Sequence, residues 1–181
     1  MNRDLADMLK VRFCMLAAAL GLLAHGSQLE AGEFTIVTKK AEVQVRKTRE
    51  GAVVLDIQSP TGIGSANIAL RAGGWPDVVL VRLHLRGLES LRISSGTNGV
   101  SASVSSRGEY TVRVYRVEGN VEKPLSQGSP LWPRIRALEA NGKPARTIPL
   151  ENGYFEVALP KAFLGSQAKS VTIEWIDFFR G

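Results

Sequence analysis

The sequence predicts an all-β protein, a single antiparallel β-sandwich of the jelly-roll or immunoglobulin-like kind with about eight to ten strands. Short runs of alternating apolar and polar residues follow one another along the chain, as in Ala41–Lys47 (AEVQVRK). All eight prolines fall between these runs, where no hydrogen bond of a central ladder is lost. No stretch keeps the helical period of about 3.6 residues over three turns.

Each predicted strand has an apolar face. In Val79–Leu85 every odd-numbered residue is apolar. In Val171–Phe178, Trp175 shares a face with Ile173, so we expect its ring in the core. A single helical turn is predicted at Pro160–Leu164 (PKAFL), between the last two strands. The other predicted strands are Ala52–Ile57, Ile63–Leu70, Leu88–Ser94, Val100–Ser105, Tyr110–Val117, Arg134–Glu139 and Tyr154–Leu159.

The pairs Asn98-Gly99 and Asn141-Gly142 lie at breaks between predicted strands. Asn-Gly pairs adopt positive φ at low cost and suit two-residue hairpin turns. The segment Leu138–Gly142, which ends in Asn141-Gly142, is therefore predicted to turn one strand into the next.

Residues 1–31 have the pattern of a signal peptide. A charged start, residues 1–12, precedes the uncharged run Phe13–Ala24 (FCMLAAALGLLA), and small residues follow at Gly26 and Ala31. The pattern predicts export to the periplasm or out of the cell. Cleavage is expected after Gly26 or after Ala31, with a β-sandwich domain over residues 32–181. The run is shorter than the roughly 20 residues of a spanning helix, so we expect no transmembrane anchor after processing.

The composition is that of a folded, moderately basic domain, with 44% hydrophobic and 22% charged residues. The chain has 23 Lys and Arg side chains and 17 Asp and Glu side chains. The first 26 residues hold three of the basic and two of the acidic ones, so the exported part keeps an excess of positive charge. This charge favours anionic partners such as envelope polymers, whereas an exported protein is not expected to meet nucleic acid.

No catalytic, cofactor or metal site is predicted from the motifs. Cys14 is the single cysteine and lies in the signal segment, so the exported part has no thiol chemistry. The segment Gly62–Asn67 (GIGSAN) begins like a dinucleotide fingerprint, but a strand pattern follows it where a helix is required. His84 is the one histidine after the signal segment, which excludes a zinc site of several histidines, and no G-x-S-x-G motif accompanies it.

One enzymatic alternative stays open. Two carboxylates about 5–9 Å apart in a cleft can hydrolyse a glycosidic bond. Sequence spacing does not pair residues of different strands, so no pair is selected. The available side chains are Asp56, Glu89, Glu156, Glu174 and Asp177.

Five residues are candidates for ligand binding: Trp75, Arg82, His84, Arg86 and Trp132. Both tryptophans lie in turn-like contexts, GGWP and PLWPR. An indole in such a loop stacks on a sugar if it is exposed, or packs as a lid over the end of the sandwich. Arg82, His84 and Arg86 alternate along one predicted strand, so they share either a basic binding face or a solvated one.

Three segments carry a resemblance: SPTGIGSANIALRAGGWP, VRLHLRGLESL and LPKAFLGSQAKSVTIEWIDFFRG. Together they resemble uncharacterised bacterial exported proteins, which implies export. The strand–LPKAFL–strand ending also resembles the last hairpin of carbohydrate-binding-module-like β-sandwiches. Neither resemblance supplies functional residues.

Two functions follow as hypotheses. The first is a non-enzymatic exported domain that binds an envelope polymer, carbohydrate included, or a protein partner. The second is an envelope polysaccharide hydrolase that uses paired carboxylates. The absence of a catalytic motif favours the first, and no cofactor is expected for either.

Export should remove the first 26 or 31 residues, because the uncharged run and the small residues after it fit a signal-peptidase substrate. Intact-mass measurement of periplasmic or secreted material should find a chain that begins at residue 27 or 32. Recovery of exported material that still carries Met1 would contradict the signal-peptide interpretation.

Overall fold

The computed structural model describes residues 28–31, 34–58, 62–71, 73–84, 87–147 and 153–177 of the chain. Residues 1–27 and Arg86 lie outside them, and with them most of the predicted signal peptide. The described residues form fourteen strands and one helical turn, so the all-β prediction is confirmed. The elements are β1 (Gln28–Ala31), β2 (Phe34–Lys39), β3 (Glu42–Lys47), β4 (Val53–Gln58), β5 (Gly62–Leu70), β6 (Val78–His84), β7 (Leu88–Ser95), β8 (Asn98–Val104), β9 (Tyr110–Glu118), β10 (Val121–Pro124), β11 (Arg134–Glu139), β12 (Pro144–Ala145), β13 (Gly153–Pro160), α1 (Lys161–Leu164) and β14 (Ser170–Asp177).

The strands form two sheets that pack face to face. The eight-stranded sheet has the order β1-β2-β5-β14-β7-β8-β9-β10, and the six-stranded sheet has the order β12-β11-β13-β6-β4-β3. Neighbours are antiparallel except β4 and β6, which are parallel. The exception arises because β5, which lies between them in the chain, crosses to the other sheet. The chain therefore enters β6 in the same direction as β4.

Alternation along the strands builds the shared core. In β6 the buried positions alternate with half-buried ones, and Val79, Val81 and Leu83 face the opposite sheet. On the eight-stranded sheet, Ile173 pairs with Ala66 on one side and Ile93 on the other, and all three are buried. Burying an aliphatic side chain of this size stabilises the fold by about 1.5–3 kcal/mol.

Trp175 lies in the core, as predicted, with 1% of its surface exposed. Its indole ring covers Gly64, its cross-strand partner on β5. A Cβ atom at residue 64 would overlap the indole ring. Gly64, the second glycine of the fingerprint-like segment, is therefore required for the close approach of Trp175.

Four strands were not predicted: β1, β2, β10 and β12. Three of them, β1, β10 and β12, are edge strands, with β12 only two residues long and β10 exposed throughout. β2 alternates in burial but lies close to the signal segment in sequence. The helical turn predicted at residues 160–164 is confirmed as α1.

The two Asn-Gly pairs have different outcomes. At Asn141-Gly142 the chain turns, with φ of 81° at Gly142, whose N–H donates to the Glu139 carbonyl at 2.8 Å. The placement of the other pair at a break between strands is wrong, because Asn98 and Gly99 are already paired in β8. Gly99 instead lies beneath the ring of Tyr115, where a Cβ atom would overlap the ring.

The short strand β1 pairs antiparallel with β2, from Gln28 opposite Val37 to Ala31 opposite Phe34. Cleavage after Gly26 would keep this strand, and cleavage after Ala31 would remove it. No helix within the described residues is long and apolar enough to cross a membrane.

Buried polar side chains attach α1 to the eight-stranded sheet. The Ser95 hydroxyl donates to the Leu164 carbonyl at 2.7 Å, and the Asn98 amide donates to the Phe163 carbonyl at 2.8 Å. Carbonyls in the last turn of a helix lack partners inside the helix, so these bonds satisfy groups that would otherwise be buried unpaired. They also determine where the chain from α1 to β14 crosses the end of the sandwich.

Substituting Gly64→Ala should destabilise the protein by about 1–3 kcal/mol, because the added methyl group overpacks the core against Trp175. Gly74→Ala is the matched control, since a Cβ atom there meets nothing within 4 Å. Urea denaturation of both variants measures the difference. Equal stability of the Gly64 variant and the wild type would show that Trp175 does not cover this position.

Candidate functional site

A network of charged and aromatic side chains covers the outer surface of the six-stranded sheet. It is called the charged face here and consists of Arg46, Asp56, Arg82, His84, Arg136, Tyr154 and Glu156. Register places the central members side by side. Arg82 of β6 lies opposite Asp56 of β4 on one side and opposite Glu156 of β13 on the other. Glu156 in turn lies opposite Arg136 of β11. Because alternate residues share a face, the apolar neighbours of each point into the core.

Glu156 lies between two arginines. Its side chain is 3% exposed although it stands on the outer surface of a sheet. Arg82 donates from Nε to Oε2 at 2.8 Å. Arg136 donates from Nε to Oε1 at 2.9 Å, and its Nη2 lies 2.7 Å from the same oxygen. Both carboxylate oxygens therefore accept from a guanidinium, which compensates for the loss of hydration on burial.

Asp56 makes the second centre of the network. Its side chain is 8% exposed, and Oδ2 pairs with Nη2 of Arg46 on the neighbouring strand β3. Oδ1 lies 3.3 Å from Nε2 of His84. Asp56 thus holds the exposed Arg46 and the imidazole of His84 in place.

Flat groups stack at one end of the face. The rings of His84 and Tyr154 have their centroids 4.9 Å apart with a tilt of 36°. The guanidinium carbon of Arg82 lies 5.3 Å from the centroid of the Tyr154 ring, close enough for a cation–π interaction. Tyr154 is half-buried, so part of its ring stays open to solvent.

The environment of His84 lowers its pKa below the ordinary value of 6.5. Burial is the largest cause, because it disfavours the charged imidazolium, and the positive charges of Arg82 and Arg46 act in the same direction. The nearby carboxylate of Asp56 favours the charged form but is outweighed by these three effects. His84 is therefore neutral at pH 7.

The structure separates the predicted binding residues into two places. Arg82 and His84 lie together on the charged face, while Arg86 is outside the described residues. Trp75 is only 4% exposed, stacks on Phe34 with centroids 6.0 Å apart, and donates from Nε1 to the Ala168 carbonyl at 2.8 Å. Trp132 is half-buried and packs against the core. Both indoles pack in the way the lid interpretation describes.

Sequence reasoning did not place Arg46, Arg136 and Tyr154 in a site. Tyr154 and Glu156 alternate on one strand, and that pattern was available as a signal. The positions of Arg46 and Arg136 depend on which strands are neighbours, and the sequence carries no local mark of that pairing.

The five carboxylates named for the hydrolase alternative are dispersed. Asp56 and Glu156 share the charged face, on strands separated by β6, so their backbones are about 9–10 Å apart. Glu89 and Glu174 are exposed on the eight-stranded sheet, and Asp177 is fully buried, where it accepts the Gly87 N–H at 2.6 Å. Within the described ranges, no three His, Cys, Asp or Glu side chains come together as a metal site.

Comparisons with known proteins add no assignment to this geometry. No family model matches the chain, and neither a curated protein nor a solved structure matches it. The resemblances to exported proteins and to carbohydrate-binding-module-like sandwiches stay expectations.

Protonation of His84 should destabilise the fold in mild acid. Its pKa is lowered in the folded state, so below pH 6.5 the unfolded chain binds a proton that the folded chain does not. The contribution to stability is fully present above pH 6.5 and is lost as the pH falls toward the lowered pKa. Urea denaturation between pH 7.5 and 5 should show a steeper loss for the wild type than for His84→Gln.

An NMR titration of the His84 ring gives an independent check. A midpoint above 6.5 would mean that the Asp56 carboxylate dominates and would overturn the assigned sign. Parallel pH profiles for the wild type and His84→Gln would mean that folding does not shift the pKa of His84, which would also contradict the prediction.

Proposed function

We propose that the protein is an exported, non-enzymatic domain that binds an acidic envelope polymer, a polysaccharide bearing carboxylate groups, on the charged face. The observation that carries the proposal is the pairing and exposure of Arg46, Arg82 and Arg136. Each is held in place by a buried carboxylate, yet Arg46 and Arg136 keep 59% and 55% of their side chains exposed.

The arginines retain hydrogen-bonding capacity. A guanidinium has five N–H donors, and the contacts to Asp56 and Glu156 use one on Arg46 and two on Arg136. The remaining donors of these two side chains have no partner among the described residues. Carboxylates and hydroxyls of a sugar acid are suitable acceptors for such planar donors.

Preorganisation adds to this capacity. Arg82 and Arg136 are immobilised by Glu156 before any ligand arrives, so less side-chain entropy is lost on binding. The open part of the Tyr154 ring lies beside them and offers a flat apolar surface for the C–H face of a sugar. The positive excess of the exported part draws an anionic polymer towards the domain.

The hydrolase alternative has less support. A glycosidase needs one carboxyl group that protonates the leaving oxygen and a second that faces the sugar. Both oxygens of Glu156 accept from guanidinium groups, and Asp56 is paired with Arg46 and His84. The carboxylates of this face are thus engaged in positioning the basic side chains.

The double substitution Arg46→Gln with Arg136→Gln should weaken binding of polygalacturonate roughly tenfold, because two charge-assisted contacts are lost. Calorimetry or biolayer interferometry at fixed salt measures the affinity, with dextran as the neutral polymer. Arg113→Gln is the matched control, since Arg113 is 66% exposed on the other sheet. It should bind like the wild type.

Melting curves of each variant separate loss of binding from loss of folding. Equal affinity of the double variant and the Arg113 control would contradict the assignment of the charged face. Release of new reducing ends from the polymer, abolished by Glu156→Gln, would instead establish the hydrolase alternative.

A further inference from the structure

A cleft of about 610 Å³ opens at one end of the sandwich. One wall is the loop Gly73–Trp75 before β6, and the other is the chain from α1 to the start of β14. Cavities that bind small molecules measure about 300–1,000 Å³, so this cleft has room for a ligand of monosaccharide or disaccharide size.

Hydrogen bonds hold both walls in place. The Trp75 indole N–H donates to the Ala168 carbonyl at 2.8 Å and links the two walls directly. The backbone N–H of Lys161 donates to the Asp77 carbonyl at 2.9 Å, and that of Leu70 to the Lys169 carbonyl at 2.8 Å. The cleft is therefore preformed and does not depend on a ligand to shape it.

The cleft is basic. Of the described residues that line it, the charged ones are Lys161 and Lys169, and no acidic side chain is among them. Lys161 lies 3.3 Å from Asp77, whose side chain is 92% exposed, so solvent screens this pair. Lys169 forms no ion pair within the described part of the chain. The two lysines thus give the described lining of the cleft a positive charge.

The rest of the lining suits the ring that carries the anion. Leu70 and Ala162 are apolar, while Ser166 adds a hydroxyl group. Gly73 and Gly74 have no side chain, and a Cβ atom at either would meet nothing within 4 Å. A ligand can therefore reach the backbone of this loop without steric hindrance.

We infer that this cleft binds a small anion, a carboxylate or a phosphate, carried on a ring of about monosaccharide size. Lys161 and Lys169 hold the anionic group, and the ring lies against Leu70 and Ala162. The site is distinct from the charged face, because none of the described residues that line the cleft belongs to that face. Binding here does not depend on the proposed polymer function.

The test uses glucuronate, glucose 6-phosphate, inorganic phosphate and glucose as ligands for the full chain, followed by amide NMR and calorimetry. Either charged sugar should shift the amides of Gly73, Gly74 and Ser166, and glucose should bind at least tenfold more weakly because it lacks the charge. The tighter of the two charged sugars identifies the anionic group. Inorganic phosphate binding as tightly as glucose 6-phosphate would refute the role of the ring.

Lys161→Gln and Lys169→Gln should each lower the affinity for the charged sugar about tenfold. Lys143→Gln, an exposed residue in the turn between β11 and β12, is the matched control and should have no effect. Ala162→Phe should block the cleft by its volume while leaving both charges in place.

Three results would overturn the inference: no binding of either charged sugar, equal binding of glucose, or equal losses in the Lys143 control. Arg46→Gln with Arg136→Gln should leave small-ligand affinity unchanged. A loss in that variant would move the site to the charged face, so the two proposals fail independently.

Discussion

Contact between the inner faces of the two sheets determines where the polar side chains of this protein lie. Once Val81 and Leu83 face the core, the alternation of a strand directs Arg82 and His84 to the outer surface. The same constraint on β4 and β13 directs Asp56 and Glu156 to that surface. Trp175 and Gly64 show how close the packing is, because the ring occupies the space that any side chain at residue 64 would need.

Burial of charge distinguishes the outer surface of the six-stranded sheet from an ordinary solvated face. Burying a carboxylate costs several kcal/mol unless charged donors replace its water. Arg82 and Arg136 replace that water for Glu156, and Arg46 does so for Asp56, beside the neutral ring of His84. Removing one partner would leave a buried charge incompletely compensated, so the face is held as a unit.

The end of the sandwich depends on polar contacts of a different kind. A helix of four residues has little stability of its own, because nucleation costs more than so few hydrogen bonds return. Ser95 and Asn98 attach this turn to the eight-stranded sheet, because their side chains donate hydrogen bonds to its carbonyls. The bond from Trp75 to Ala168 then joins that segment to the loop before β6. The cleft lies between the loop before β6 and the chain from α1 to β14, and these contacts hold both in place.

The sequence by itself determined the fold class and ten of the strands, because period-two alternation and the position of proline are local properties of the chain. It also indicated that Trp175 belongs in the core and that Arg82 and His84 share a face. The sequence did not predict the short edge strands β10 and β12, since they bury too few residues to show an apolar alternation. At Asn98-Gly99 the local turn preference was not followed, because Gly96, with φ of 55°, makes the turn and both residues are paired in β8.

Only the tertiary structure decided which side chains meet. Asp56, Arg82 and Glu156 are neighbours because β4, β6 and β13 are adjacent in one sheet, and the register between strands so far apart in sequence is set by the packing of the whole core. The environment of Trp75 was decided in the same way, by a carbonyl 93 residues further along the chain. Local pattern determines which face of a strand a residue occupies, whereas its partners on that face depend on long-range pairing.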